Sequence, residues 1–321
     1  MKLIFSILIC FVALYVCSPA YAFIFDKYDV KVKVIDDNGV PVEKASVYIG
    51  FDKDTLSGTK MTAKKSITAA DGEFRASGTG NGYISYGATK EGYYKSHYTY
   101  SFPSLKDDSL QKREFIILLR KIGNPVPMYA RDTKHAEKRM EIPVVGKKVG
   151  FDLIAYDWVQ PYGKGTYEDF VFYLERIYTD WNHQDCKLTI TFANKFDGIQ
   201  KYEEKLRNGS EFKLPRFAPV NGYQTELQLY INADAKGNAT NYNTNMKEDD
   251  NYIFKIRSKD MTPIYGKIRG SIWFWPQHSK NNTATISMKY YVNPDRTNNL
   301  EFDPTVNLFG DLPFMAQVID P

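Results

Sequence analysis

Asp29-Val30-Lys31-Val32-Lys33-Val34-Ile35-Asp36-Asp37-Asn38-Gly39-Val40-Pro41-Val42 is the stretch on which the reading of the whole chain turns. Val30, Val32 and Val34 alternate with Asp29, Lys31 and Lys33. Successive side chains on a strand point to opposite faces, so this period of two puts the valines on a buried face and the charges on an exposed one. Asp36 to Gly39 then supplies residues that tolerate positive φ, as a tight turn requires. Val40-Pro41-Val42 resumes an extended course, and Ala45, Val47 and Ile49 line another buried face. Two strands meeting around that turn are expected.

The same grammar runs on. A polar stretch, Asp52 to Lys65, is followed by Thr68 to Phe74, where Asp71-Gly72 marks a second turn feeding a strand. Tyr83 to Thr89 reads as a strand and Lys90-Glu91-Gly92-Tyr93 as a turn. A tyrosine-rich strand then reaches Phe102, and Glu114 to Leu119 closes the set. Short strands at this spacing, with no long amphipathic helix, predict a β-sandwich of about seven strands.

Three ordered stretches of this region also carry a family resemblance. Val34 to Val47, Thr68 to Phe74 and Ala88-Thr89-Lys90-Glu91-Gly92-Tyr93 resemble the signature segments of carboxypeptidase-regulatory-like domains. The resemblance covers residues 28 to 120, about a third of the chain. It implies a transthyretin-like or immunoglobulin-like sandwich in which Gly39 and Gly72 serve turns and Ala45 allows close sheet contact. It does not imply peptidase chemistry, because the family's zinc site belongs to a separate catalytic domain with a His-x-x-Glu pair. Here His97, His135, His183 and His278 each stand alone, and none has Glu three residues downstream. No metal ligand set and no cofactor motif is expected.

The chain opens with Met1 and Lys2, an apolar run from Leu3 to Val16, and Ala20-Tyr21-Ala22. A charged start, a short apolar core and small residues flanking a cleavage point read as a signal peptide over residues 1–22. The run is shorter than the ~20 residues a membrane span needs, so no transmembrane segment is expected in the mature chain. Lipid anchoring at Cys17 is the alternative, opposed by bulky Val16 just before it. Removal of the leader takes Cys10 and Cys17 and leaves Cys186 as the single thiol. A lone cysteine before the strand-like run Lys187 to Phe192 is expected to be buried and inert; pairing with His183 as a nucleophile is the sharper alternative.

After Leu119 the periodicity stops. Residues 122–146 read as a linker packed along the surface, with room for a single helical turn between Arg131 and Glu141. Strand signals return over Phe151–Val159, Phe170–Tyr178, Lys187–Phe192, Thr225–Ile231, Tyr252–Arg257, Lys267–Trp275 and Thr283–Val292. Phe170, Leu174 and Ile177 fit a helix face as well, but Phe170, Phe172 and Leu174 alternate, and strand is preferred. The expected organisation is all-β: two antiparallel β-sandwich domains in tandem, 23–121 and 147–321. The second part resembles exported bacterial proteins that pair such a module with a regulatory-like domain, a similarity that names no activity.

With 321 residues, 43% of them hydrophobic, the chain can bury a sizeable core. Its 42 Lys and Arg against 38 Asp and Glu, without a dense basic block, give no support to a nucleic-acid groove. Trp273-Phe274-Trp275 places two indoles on one strand face. Exposed, they would stack on sugar rings; the blander reading is a central strand packed on both sides. Tyr94, Tyr98 and Tyr100 form a second candidate ligand platform, with a half-buried sheet surface as the plain alternative. Asn232 to Gly237 is not an EF-hand, since Lys236 and Asn243 occupy ligand positions. Asn293 to Pro304 holds enough oxygens for a cation, although Pro and Asn there suit turns. Asp249-Asp250 carries no sign of a catalytic pair, and Asn208, Asn238 and Asn281 begin glycosylation sequons.

No catalytic constellation emerges. The expected function is a non-catalytic binding or structural module, exported to the periplasm or beyond the cell, whose partner is an envelope polysaccharide or an envelope protein. The alternative is an envelope hydrolase acting on glycans or peptides, with a site in the second domain or between domains.

Overall fold

Burial follows the valine alternation: in β1 (Asp26–Ile35) Val30, Val32 and Val34 are fully enclosed. The computed structural model describes residues 26–81, 83–101, 110–134, 139–203, 209–236, 239–259, 262–277 and 283–321. The expected signal peptide, Cys10, Cys17, His135, His278 and the three sequon asparagines lie outside them. The chain divides into two units at Leu119 and Arg120. Every regular element longer than one helical turn among the described residues is a strand. No helix there is long and apolar enough to cross a membrane.

In the first unit, β1 lies between β4 (Glu73–Gly80) and β7 (Leu110–Leu118), the latter running parallel to it. Opposite lies a four-stranded sheet, in the order β3 (Gly58–Ile67), β2 (Ser46–Thr55), β5 (Tyr83–Thr89), β6 (Ser96–Ser101). Tyr28, Val30 and Val32 of one sheet meet Val47, Ile49, Phe51 and Ile84 of the other in a single core. The Asp36 turn forms as expected: the Asp36 carboxylate accepts the Asn38 and Val40 amides at 2.8 and 2.9 Å, and Gly39 takes φ +77°. Yet the strands it joins do not pair with each other beyond a bridge between Ile35 and Pro41. The turn carries the chain from one sheet to the other, because Val47, Ile49 and Phe51 must face the β1 valines across the core. The polar stretch from Asp52 is also a strand, β3, hairpinned to β2 through Leu56 and Ser57. All but one of its residues are exposed, so it shows no hydrophobic alternation to detect.

The second unit starts earlier than the sequence suggested. The expected linker contains β8 (Val126–Asp132) and β9 (Met140–Ile142), and β8 has a neighbour on each side. Its sheet runs β14 (Gly198–Tyr202), β17 (Asn251–Lys259), β18 (Thr262–Ile268), β21 (Lys289–Asn293), β8, β22 (Phe302–Asn307). The facing sheet runs β11 (Asp157–Trp158), β10 (Lys148–Asp152), β12 (Phe170–Asp180), β13 (His183–Thr191), β15 (Glu226–Lys236), β16 (Ala239–Thr244). Phe170, Leu188 and Leu229 from one and Phe254, Ile268 and Tyr290 from the other fill the core. Phe170 and Phe254 meet edge to face, 5.1 Å between centroids. The β14–β22 sheet is buried on its back as well, where Met128, Ala130, Tyr291, Phe302 and Val318 pack. Burial on both faces is why Tyr252-Ile253-Phe254 is apolar without alternating.

Three expected strands break. Phe151–Val159 turns back on itself at Tyr156, which adopts φ +53°, and becomes β10 and β11. Lys267–Trp275 divides into β18 and β19 (Trp273–Trp275), and Thr283–Val292 into β20 (Ala284–Ser287) and β21. The last two breaks fall at one level, together with the one between β8 and β9. Beyond it three of the four inner strands, β18, β21 and β8, continue as a separate sheet ordered β19, β20, β9.

Candidate functional site

That common break opens a cleft. Arg269 donates its amide to the Lys289 carbonyl at 2.9 Å, the last bond before the sheet divides, and Trp273 pairs with Ser287 beyond it. Between these two points Gly270, Ser271 and Ile272 stand opposite Met288 alone. Gly270 takes φ +83° and donates its amide to the Asn251 side chain at 3.0 Å, which turns the strand outward. On the other side, Thr133 and Met288 bind each other through Thr133 N to Met288 O at 3.0 Å and Met288 N to Thr133 Oγ1 at 2.9 Å.

The space left is a cleft of about 350 Å³, lined by Asp132, Lys134, Glu248, Asp249, Arg269, Gly270, Ser271, Trp273, Ser287, Met288 and Lys289. Trp273 is half-buried, packing on the core with part of its ring and lining the cleft with the rest. Around it stand three carboxylates, Asp132, Glu248 and Asp249, and three cations, Lys134, Arg269 and Lys289. Asp320 fixes two of those cations from outside the cleft: its Oδ2 lies 2.8 Å from Arg269 and 2.9 Å from Lys289. Burial works to raise the Asp320 pKa, but Arg269 and Lys289 outweigh it and hold the carboxyl below its ordinary value. The cleft therefore offers an aromatic surface ringed by side chains that both donate and accept, with its formal charges balanced. None of the described residues lining it is histidine or cysteine.

Of the residues singled out in the sequence, Trp273 and Asp249 reach this cleft, and Trp273 is the candidate ligand-binding residue among them. Trp273 and Trp275 do share a face, with Phe274 buried on the other. The strand is not central, however: β19 is an edge of its small sheet, and both indoles are half-buried rather than enclosed. The tyrosine platform does not form. Tyr94 is buried ahead of β6; Tyr98 stacks on Tyr86 at 5.3 Å; Tyr100 meets Phe115 at 5.1 Å. Tyr98 and Tyr100 lie on the face of β6 that pairs with the core-facing Tyr86 and Ile84; Tyr98 packs against the core, whereas Tyr100, nearer the end of the strand, leans on Phe115 and stays exposed.

Cys186 and His183 stand on opposite faces of β13. Cys186 is buried, donates to the Ile177 carbonyl at 3.4 Å, and burial raises its thiol pKa to about 11. His183 is exposed and pairs with Asp180 at 3.0 Å. Asp250 is buried and bound by Lys201 at 2.6 Å, while Asp249 lines the cleft. Two other carboxylates do converge. Asp152 and Asp169 both grip Arg257, each within 2.7 Å, and the amides of Leu153, Ile154, Ala155, Thr166 and Tyr167 bind their oxygens. With their acceptor sites taken up by the chain itself, they anchor the 153–169 loop. At the Asn293 tail, Asn293 and Asp295 accept the amides of Asp295 and Thr297 at 3.1 and 2.7 Å, which shapes turns. Among the described residues no three of His, Cys, Asp and Glu converge as a metal site would require.

No family model matches the chain, and no curated protein matches it. Solved structures overlap it loosely. Catechol 1,2-dioxygenase from Pseudomonas arvilla C-1 is 13% identical over 31% of this chain and 53% of its own, with a TM-score of 0.24. The chain thus spans about half the length of that enzyme. A proposed carbohydrate binding protein from Bacteroides uniformis is 10% identical over 83% of this chain and 98% of its own, with a TM-score of 0.19. A proposed membrane-associated protein from Bacteroides fragilis is 9% identical over 84% of this chain and 97% of its own, also at 0.19. Overlaps this loose transfer no function.

Proposed function

We propose that the protein is an exported, non-catalytic binding module of the bacterial cell envelope, and that it holds a polysaccharide segment in the cleft beside Trp273. The observation that carries this reading is the lining of that cleft: one half-buried indole with carboxylates, a guanidinium and ammonium groups around it in balanced number. A sugar ring presents an apolar face of C–H groups and a rim of hydroxyls, each of which donates and accepts. The indole suits the face, and the mixed charges suit the rim. A preformed concave site with a few convergent polar groups is the ordinary form of a small-ligand pocket. Export rests on the reading of residues 1–22 as a signal peptide. The first unit, with Gly39 and Gly72 at positive φ in its turns, is read as a carboxypeptidase-regulatory-like sandwich serving as the accessory part.

A glycan array probed with the purified protein and with Trp273→Ala tests this. Binding to a set of envelope glycans, weakened about tenfold or more in the variant and partly restored in Trp273→Phe, is the expected result. Absence of any glycan binding, or equal binding by wild type and Trp273→Ala, overturns the assignment.

A further inference from the structure

The first unit carries a groove of a different chemical character. It lies where β3 ends, β2 begins and the Lys90–Tyr93 turn leaves β5, and its volume is about 830 Å³. Ile67, Ser46 and Thr89 share one cross-strand row at its base. Lys44, Lys90 and Lys95 line it against the single carboxylate Glu91, and Tyr93 and Ile67 supply its apolar surface. Unlike the cleft beside Trp273, this lining is positively charged.

The walls are fixed by bonds that precede any ligand. Buried Thr68 accepts the Ala45 amide at 2.9 Å through Oγ1 and donates to the Val42 carbonyl at 2.7 Å, and Lys44 donates its amide to the Thr68 carbonyl. This pins the segment that carries Lys44. Lys90 Nζ donates to the Glu43 carbonyl at 2.8 Å and sits 5.4 Å from the centre of the Tyr93 ring. Its ammonium is thus held beside an aromatic face, while Lys44 and Lys95 stand exposed, Lys44 with its ammonium 3.8 Å from the solvated Glu43 carboxylate. A preorganised cation next to an aromatic ring lowers the ordering cost of binding an anion that also has an apolar face.

We propose that this groove binds an anionic polysaccharide, its acidic groups meeting Lys44, Lys90 and Lys95 while the face of a sugar ring lies on Tyr93. A membrane surface is the weaker partner, because polybasic lipid binding takes clusters of about four to eight cations and this groove gathers three against one acid. The proposal does not depend on the Trp273 cleft, which lies in the other unit.

The full protein is tested on immobilised polygalacturonate, dextran sulfate and neutral dextran, with polyglutamate and phosphatidylserine vesicles alongside. Binding to polygalacturonate, dextran sulfate or both, falling with salt and absent on dextran, is expected, and the two acidic glycans separate carboxylate from sulfate preference. Lys44→Gln/Lys90→Gln/Lys95→Gln should weaken it roughly tenfold to a hundredfold. Lys44→Gln/Lys95→Gln, which spares the Lys90 bond to Glu43, should lose a smaller share with an unchanged melting temperature. Trp273→Ala should retain it, which separates failure of this site from failure of the cleft. Equal binding to dextran, binding confined to polyglutamate or vesicles, or undiminished binding by the triple variant overturns the proposal.

Discussion

Lys267 and Tyr291 stand directly opposite each other on β18 and β21, and the lysine Nζ lies 4.4 Å from the centre of the tyrosine ring. The amine is fully buried, with Phe212 on another side at 5.1 Å, and has no hydrogen-bond acceptor among the described residues. Burial, with the nearby charges of Arg269 and Arg120, pushes its pKa well below the ordinary 10.5, while Glu301 and Asp320 oppose the shift. An amine in this setting costs stability that an apolar side chain would not.

Lys267→Met should therefore stabilise the second unit by about 1–3 kcal/mol, read as a higher denaturant midpoint. Between the folded pKa and 10.5 the unfolded chain binds the extra proton, so wild-type stability falls as pH drops through that window. The advantage of the variant should grow from alkaline toward neutral pH. A destabilised Lys267→Met, or an advantage independent of pH, would show that the amine is satisfied or charged in the fold.

Arg257 neutralises two buried carboxylates at once. Burial works to raise Asp152, but the amides of Ala155, Tyr167 and Thr166 and the Arg257 charge hold it below its ordinary value. At Asp169 burial prevails over Arg257 and the carboxyl is raised. Arg257→Met should cost roughly 3–5 kcal/mol, since it leaves both acids buried without their counter-ion. Arg257→Lys should recover only part, because an ammonium cannot reproduce the two-pronged contact. Urea unfolding followed by tryptophan fluorescence measures both; a loss under about 1 kcal/mol for the Met variant would mean the backbone amides alone suffice.

Cys186 should resist alkylation in the folded protein at mildly alkaline pH, where its raised pKa keeps the thiol protonated and the sheet covers it. Iodoacetamide followed by peptide mass spectrometry should find Cys186 modified only after denaturation. Rapid labelling of the native protein would revive it as a reactive group.

Sequence legibility followed burial. Strand β12 was readable because Phe170, Phe172 and Leu174 alternate into the core, and β1 because its valines do. Exposed β3 and the strand in the supposed linker were not. The first has no buried side to imprint a period, and the second carries Pro127 beside Val126 and Met128, a pattern that suits an extended connector equally well. Trp273 was conspicuous by composition. Its partners in the cleft, Asp132, Glu248 and Arg269, are far apart in the chain, and only Gly270-Ser271 inside a strand-like run hinted at a break there.

By itself the sequence determined that the protein is built from sheets, where its tightest turns fall, and which side chains are apolar enough to fill interiors. These are local properties, written in the two-residue period and in the residues that accept positive φ. Tertiary structure decided which strands became neighbours, that three of them break at one level, and that an indole and six charges from separate segments surround one space. Such convergence depends on long-range pairing and on two sheets covering each other, which no window of adjacent residues encodes.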